Sequence, residues 1–236
     1  MLVMAWGEGA TLWKKTWKRA TPWLLFAGIT EEILNYWVEA LQKLDERFMV
    51  AGLLFTIGLQ LLISGIGVIL INQIAFDARH GKHNGLLATL KANIKYVFIE
   101  TTRALLPIIL KLFLFIIPGL IEMARLYFVP FVVQFDGEYK EGKVDALERS
   151  RALSKGSLTP VILILLLANI LSILPRLGLM RVELSKQPGI YIGWFLLAAI
   201  FELYGDLVIF TTYERLHRRF EEKNGPEISL QRSSQS

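Results

Sequence analysis

Residues 48–76 contain no charged side chain, with Arg47 before them and Asp77 after them. As an α-helix rising 1.5 Å per residue the stretch is about 43 Å long, more than the roughly 30 Å of hydrocarbon in a bilayer. A helix satisfies its own backbone groups, which lipid cannot do, so a transmembrane helix is predicted here. Gly52, Gly58, Gly65 and Gly67 would let neighbouring helices approach closely, and Gln60, Asn72 and Gln73 could hydrogen-bond to them. The whole chain agrees with this reading: 53% of its 236 residues are hydrophobic and its mean hydropathy is +0.45. A water-soluble core of ordinary composition does not need so many apolar side chains, so lipid is expected to be part of the solvent.

Other segments follow in order along the chain. Residues 12–20 place Trp13, Trp17 and Ala20 on one helical face, with Lys14, Lys15, Lys18 and Arg19 elsewhere. Such a helix lies in the headgroup plane, or else forms the first turns of a membrane helix. No cleavable signal peptide is expected, because this basic cluster follows the first apolar residues. Residues 22–44 are apolar but interrupted by Glu31 and Glu32, and form a first span or a re-entrant segment. Residues 96–118 and 120–135 are two apolar limbs divided by Pro118 and Gly119. The second limb is only about 24 Å long as a helix and must tilt, thin the bilayer or re-enter. Residues 136–156 hold a second interfacial helix, with Asp145 as N-cap, Glu148 in a capping-box position and Gly156 as its stop. Ala146, Leu147, Ser150 and Leu153 are predicted to be its membrane-facing stripe. Residues 157–175 and 190–213 complete the spans. The expected fold is all-α and polytopic, with about six transmembrane or re-entrant helices plus short interfacial ones. Residues 1–223 form one membrane domain, and the polar tail 224–236 is expected to be disordered.

The basic residues order this topology. Lys14, Lys15, Lys18 and Arg19 cluster near the N-terminus, and Arg215, Arg218, Arg219, Lys223 and Arg232 near the C-terminus. Arg79, Lys82, Lys91 and Lys95 occupy one connection, and Lys140, Lys143, Arg149, Arg151 and Lys155 another. The positive-inside rule gathers these four regions, both termini included, on the cytoplasmic side. Poorer connections hold Lys43 and Arg47, or Arg176, Arg181 and Lys186, and fall on the other side. An even number of crossings follows, with residues 96–135 leaving and returning as a hairpin.

Three sequence features resemble a known group. They are Gly67-Val68-Ile69-Leu70-Ile71 at the end of a span, Ile117-Pro118-Gly119-Leu120-Ile121 before Arg125 and Pro130, and Asp145-Ala146-Leu147-Glu148-Arg149-Ser150 before Leu153-Ser154-Lys155-Gly156. Their order and spacing are similar to a widespread group of uncharacterised bacterial inner-membrane proteins with about six spans. The membrane domain attached to some glycerophosphodiester phosphodiesterases has the same pattern. The resemblance implies six spans with the Asp145 helix cytoplasmic. It transfers no activity, because the phosphodiesterase's soluble catalytic barrel has no counterpart here.

With no cysteine, the chain offers no disulfide, thiolate metal site or cysteine nucleophile. His80 and His83 stand three apart in a loop that reads as solvated, and His217 reads as surface charge in the basic tail; no metal or other cofactor is expected. The net charge of +5 flanks apolar runs, which fits anionic lipid rather than nucleic acid. Charged residues within apolar segments are more informative, since each costs about 3 kcal/mol at a helix centre. Glu100, Arg103, Lys111, Glu122, Arg125, Glu202 and Asp206 are the candidates. Glu100 with Arg103 and Glu122 with Arg125 have the spacing of intrahelical pairs. Glu202 and Asp206 are like charges one turn apart and need a partner, a proton or water, with Lys111 as one candidate partner. No catalytic motif is readable, and no enzymatic activity is expected. Two readings of function remain. One is a non-catalytic inner-membrane protein that organises lipid, a membrane partner or a second copy, with Trp13, Lys14, Lys15, Trp17, Lys18 and Arg19 against headgroups. The other is a transporter or channel subunit with a polar path along the hairpin and last helix.

Overall fold

The computed structural model describes residues 2–41, 46–81, 85–179, 182 and 186–233, and every regular element among them is a helix. In chain order these are α1 (Leu2–Leu41), α2 (Glu46–His80), α3 (Leu86–Leu114), α4 (Ile116–Leu126), α5 (Val129–Phe135), α6 (Gly137–Lys140), α7 (Ala146–Ser154), α8 (Leu158–Leu179) and α9 (Pro188–Ser233). Among the described residues, four stretches are long and apolar enough to cross a membrane: Val50–His80, Ile116–Phe135, Leu158–Leu179 and Pro188–Lys223. Neither α1 nor α3 is among them. The charges of α1 from Lys14 to Arg19, and of α3 at Lys91, Lys95, Glu100, Arg103 and Lys111, leave shorter apolar runs.

The chain forms two compact units. One comprises Met1–Gly9, Tyr96–Leu167 and Val208–Ser236, here called the hairpin unit. The other comprises Ala10–Lys95 and Ala168–Leu207, here called the span unit.

In the span unit, residues 12–20 are turns of a longer helix, the second of the two alternatives, and not a separate one, because α1 runs unbroken from Leu2 through Pro22 to Leu41. An interior proline removes one backbone hydrogen bond, and long membrane helices tolerate this where neighbouring groups replace it. Leu12, Thr16 and Ala20 form the buried edge of this part of α1. The first half of α2 leaves large apolar side chains bare, with Leu54 66% and Phe55 70% exposed. Its last turns bury Ile69, Asn72, Gln73, Ile74 and Asp77. Gly67 is closely approached, since a β-carbon there would meet Trp23 Nε1 at 2.9 Å, whereas Gly58 and Gly65 have no such neighbour within 4 Å. Gln73 bonds not to another helix but to Asp77 one turn on, Nε2 to Oδ1 at 2.7 Å. Helix α8 continues through Pro175 to Leu179, so Arg176 belongs to the helix and not to the connection after it.

The hairpin unit turns on two helix breaks. The first lies at Phe115, which is extended (φ −156°, ψ 131°), and not at Pro118 and Gly119. Pro118 instead occupies the first turn of α4, where a missing N–H costs nothing because first-turn N–H groups have no helical acceptor. Gly119 lets α3 approach, since a β-carbon there would sit 2.7 Å from Leu112 Cα. One residue therefore joins α3 to α4, and the tip is apolar, with Phe113 91% exposed and Leu114, Phe115, Ile116 and Ile117 also bare. The second break, at Tyr127 and Phe128, precedes Pro130 in the first turn of α5. It frees the Arg125 carbonyl, which accepts a hydrogen bond from Ser150 Oγ of α7 at 2.7 Å.

Helix α7 packs on α4 and α5. Asp145 caps it, its Oδ1 accepting from the N–H groups of Leu147 (2.9 Å) and Glu148 (3.2 Å), and Gly156 just beyond its end has φ +80°. The stripe of Ala146, Leu147, Ser150 and Leu153, predicted to face the membrane, is instead buried against protein. The amphipathic pattern identified a face to be covered, and α4 and α5 cover it in place of lipid. Beside it, Phe128, Phe131, Phe210 and Tyr213 form the aromatic core, with the Phe131 and Tyr213 rings stacked at 5.2 Å.

Candidate functional site

The charged residues singled out in the sequence fall into three groups. In α1, Lys14, Lys15, Lys18 and Trp17 are exposed on the side away from the buried Leu12, Thr16 and Ala20. The Trp13 and Trp17 rings stack at 6.5 Å, and Lys18 Nζ lies 5.8 Å from the Trp17 ring centre. The helical repeat produces this arrangement, because residues three and four apart share a face. Arg19 departs from the group: its guanidinium pairs with the fully buried Asp77 of α2 at 3.2 Å. It therefore joins two helices, and the lysines with Trp17 and the half-buried Trp13 remain as a cationic, aromatic face.

The hairpin charges form two linked clusters. Arg103 donates to Glu100 at 2.7 Å, the expected intrahelical pair, and also to Asp145 at 2.9 Å. Tyr139 Oη donates to Glu100 at 3.4 Å. Glu122 does not pair with Arg125 one turn away. It receives Lys111 Nζ at 2.6 Å and Arg151 at 2.7 Å, and its side chain is only 1% exposed. Lys111 is therefore matched within the hairpin, and not by Glu202 or Asp206. Position along the sequence hid Arg151, which lies 29 residues from Glu122. The available signal was that α7, once folded onto α4, brings Arg149 and Arg151 to carboxylates: Arg149 binds Asp136 at 2.7 Å and Glu138 at 3.0 Å.

Electrostatics in the polar connection follow from these contacts. Burial works against ionisation of Asp145, yet the Arg103 guanidinium and the two capping N–H groups hold its carboxyl below the usual range. Burial, with the nearby Glu100 carboxylate, raises the Tyr139 hydroxyl. Burial lowers Lys140, with Asp136 opposing.

The third group lies in α8 and α9 of the span unit. Glu202 pairs with Arg176 at 2.9 Å, with both side chains two-fifths or more exposed (40% and 44%). The partner thus comes from the end of α8, not from the hairpin. Asp206 has no hydrogen-bond or ion-pair partner among the described residues. Together with Gln60, Ser64, Trp23 and the Arg176–Glu202 pair it lines a cavity of about 190 Å³. Of the histidines, His80 bonds through Nδ1 to the Phe76 carbonyl oxygen at 3.0 Å, and His217 stacks on Tyr213 and meets Glu221 at 3.2 Å. His83 lies outside the described residues.

No family model, curated protein or solved structure matches the chain.

Proposed function

We propose that this is a non-catalytic, multi-pass protein of a bacterial inner membrane that holds anionic lipid against its cytoplasmic face. The observation that carries this reading is the α1 surface, where three exposed lysines flank two stacked tryptophans and the opposite edge is buried in protein. Indole rings settle at the headgroup level, and lysines beside them attract anionic phosphate. The distribution of Lys and Arg supports cytoplasmic termini and an even number of crossings. In this reading α1 crosses the bilayer together with Val50–His80, Leu158–Leu179 and Pro188–Lys223, an even number of crossings. The α3–α4 hairpin enters from the cytoplasm and dips its bare apolar tip, Phe113 to Ile117, into hydrocarbon. The resemblance carried by Gly67-Val68-Ile69, Pro118-Gly119 and Asp145-Ala146-Leu147-Glu148 supports the same family of six-span membrane proteins.

Substituting Lys14, Lys15 and Lys18 together by Gln tests the reading. At low salt the loss is expected to be about 1 kcal/mol of anionic-lipid affinity per lysine. The full chain in nanodiscs of mixed phosphatidylcholine and phosphatidylglycerol should then recruit less phosphatidylglycerol than the unsubstituted protein. Equal recruitment would remove the role given to α1.

A second reading rests on one observation, the cavity beside Asp206. An acidic side chain without a matching cation inside an apolar helix is the usual mark of a proton or cation path. The hairpin charges lend that reading no support, since Glu100, Arg103, Lys111 and Glu122 are matched among themselves and α7. Asp206→Asn in proteoliposomes separates the two readings: a conducting path loses its proton flux, whereas a lipid-binding protein has no flux to lose.

A further inference from the structure

The cations of the hairpin unit fall into two classes. Lys111, Arg103, Arg149 and Arg151 each reach a carboxylate at 3.0 Å or less. Lys140, Arg218, Arg125, Lys155, Arg219 and Lys223 have no ion-paired carboxylate among the described residues, and the last four gather near one turn. Arg125, Arg151 and Lys155 line a cavity of about 460 Å³ together with Leu158, the first residue of α8. Lys155, Arg219 and Lys223 line an adjoining cavity of about 550 Å³ with Leu153, Leu216 and Phe220. Ala152, Lys155 and Gly156 line both, so the two cavities adjoin at the turn from α7 to α8 and are together called the cleft. No acidic residue lines either cavity.

The walls of this cleft are braced. Ser150 and Ser154 of α7 both donate to the Arg125 carbonyl, at 2.7 and 3.4 Å. Arg151 is held by two contacts to Glu122 Oε1, from Nε at 2.8 Å and the terminal nitrogen at 2.7 Å. On the other wall the Phe220 ring lies 4.3 Å from the Arg149 guanidinium, which Asp136 fixes in turn. Arg151 has its counter-charge in Glu122, whereas Arg125, Lys155, Arg219 and Lys223 are exposed like charges with none, and such a concentration of positive charge attracts an anion. The apolar part of the lining gives the anion a second property. Leu158 begins an apolar helix whose bare side chains continue away from the cleft through Leu163 and Leu166, a surface suited to acyl chains and not to water.

We infer that the cleft is a binding site for the phosphate group of an anionic phospholipid, with its acyl chains lying along α8. The inference rests on the lipid-binding reading above but uses different residues, so the two can fail separately. Basic recesses beside membrane helices recognise anionic headgroups by this combination of fixed cations and apolar wall.

The test uses the full chain in mild detergent, loaded with phosphatidylglycerol or phosphatidylcholine, with retained lipid counted by native mass spectrometry. The wild type should retain phosphatidylglycerol over phosphatidylcholine. Arg125→Gln with Lys155→Gln, and separately Arg219→Gln with Lys223→Gln, should each lower the phosphatidylglycerol affinity about thirtyfold, at roughly 1 kcal/mol per charge. Arg125→Lys with Lys155→Arg should restore it, which separates lost binding from lost folding. Full retention in both glutamine variants, alongside loss in the Lys14, Lys15 and Lys18 variant, would overturn the cleft and leave the lipid-binding reading standing. No preference for phosphatidylglycerol in the wild type would overturn both. Displacement of phosphatidylglycerol by millimolar inorganic phosphate would overturn the lipid assignment, because the cleft would then be reading phosphate without acyl chains.

Discussion

Two carboxylates in apolar helices are treated differently by this protein. In the hairpin unit Glu122 is 1% exposed and has two cations on it, Lys111 and Arg151. In the span unit Glu202 is 44% exposed and has one, Arg176, itself partly exposed. Desolvating a carboxylate costs several kcal/mol, and only close, hydrogen-bonded cations offset that cost. Glu122 is therefore part of the framework that holds α3, α4 and α7 together. Glu202 retains contact with its surroundings and depends on its partner much less. A charge in an apolar helix is thus not one kind of feature, and what decides its meaning is whether a polar strap such as α7 reaches it.

The largest effect should come from breaking the buried cluster. Glu122→Gln leaves Lys111 and Arg151 facing each other without a counter-charge and is expected to cost about 3 kcal/mol. Adding Lys111→Met should recover part of that loss. The matching change Glu202→Gln should cost less than about 1 kcal/mol, as for exposed pairs. Thermal unfolding of the variants in detergent measures both, and equal losses would abolish the distinction drawn between the two sites.

The comparison also separates what was legible in the sequence from what was not. Helix α2 was legible because an absence of charge is a local property, and the Asp145 cap and Gly156 stop because capping depends on neighbours two or three residues away. The site charges were legible as individuals but not as pairs. Glu122 and Arg125 have good helical spacing, yet α7 supplies Arg151 from 29 residues away and α3 supplies Lys111 from 11, contacts that no local pattern encodes. The same reason hid the destination of the α7 stripe, since amphipathicity reveals an apolar face without saying whether protein or lipid will cover it. Proline was misleading at Pro118, which stands in the first turn of a helix instead of ending one.

A smaller effect should follow from loosening the strap itself. Asp145→Ala removes both capping hydrogen bonds and should destabilise α7 by about 1 kcal/mol. Acid should act in the same direction. The folded carboxyl lies below the ordinary value near 4, so its contribution is complete above that value and is lost as the pH falls through the lower folded one. The hydrogen-exchange protection of the α7 amides, relative to the unfolded rate at each pH, should fall only in that acidic range in the wild type. In Asp145→Ala it should already be low at neutral pH and unchanged in relative terms by acid. Equal acid sensitivity in the two proteins would show that another group controls the strap.

The most direct test of the lipid-binding claim is to extract the wild-type protein gently from its membrane and compare its retained lipid, by native mass spectrometry, with the lipid of that membrane. Anionic phospholipid should be enriched in the protein-bound fraction, and raising the salt concentration should reduce the enrichment, because the lysines of α1 act through screened charge. Bound lipid in the same proportions as the bulk membrane, unaffected by salt, would contradict the claim.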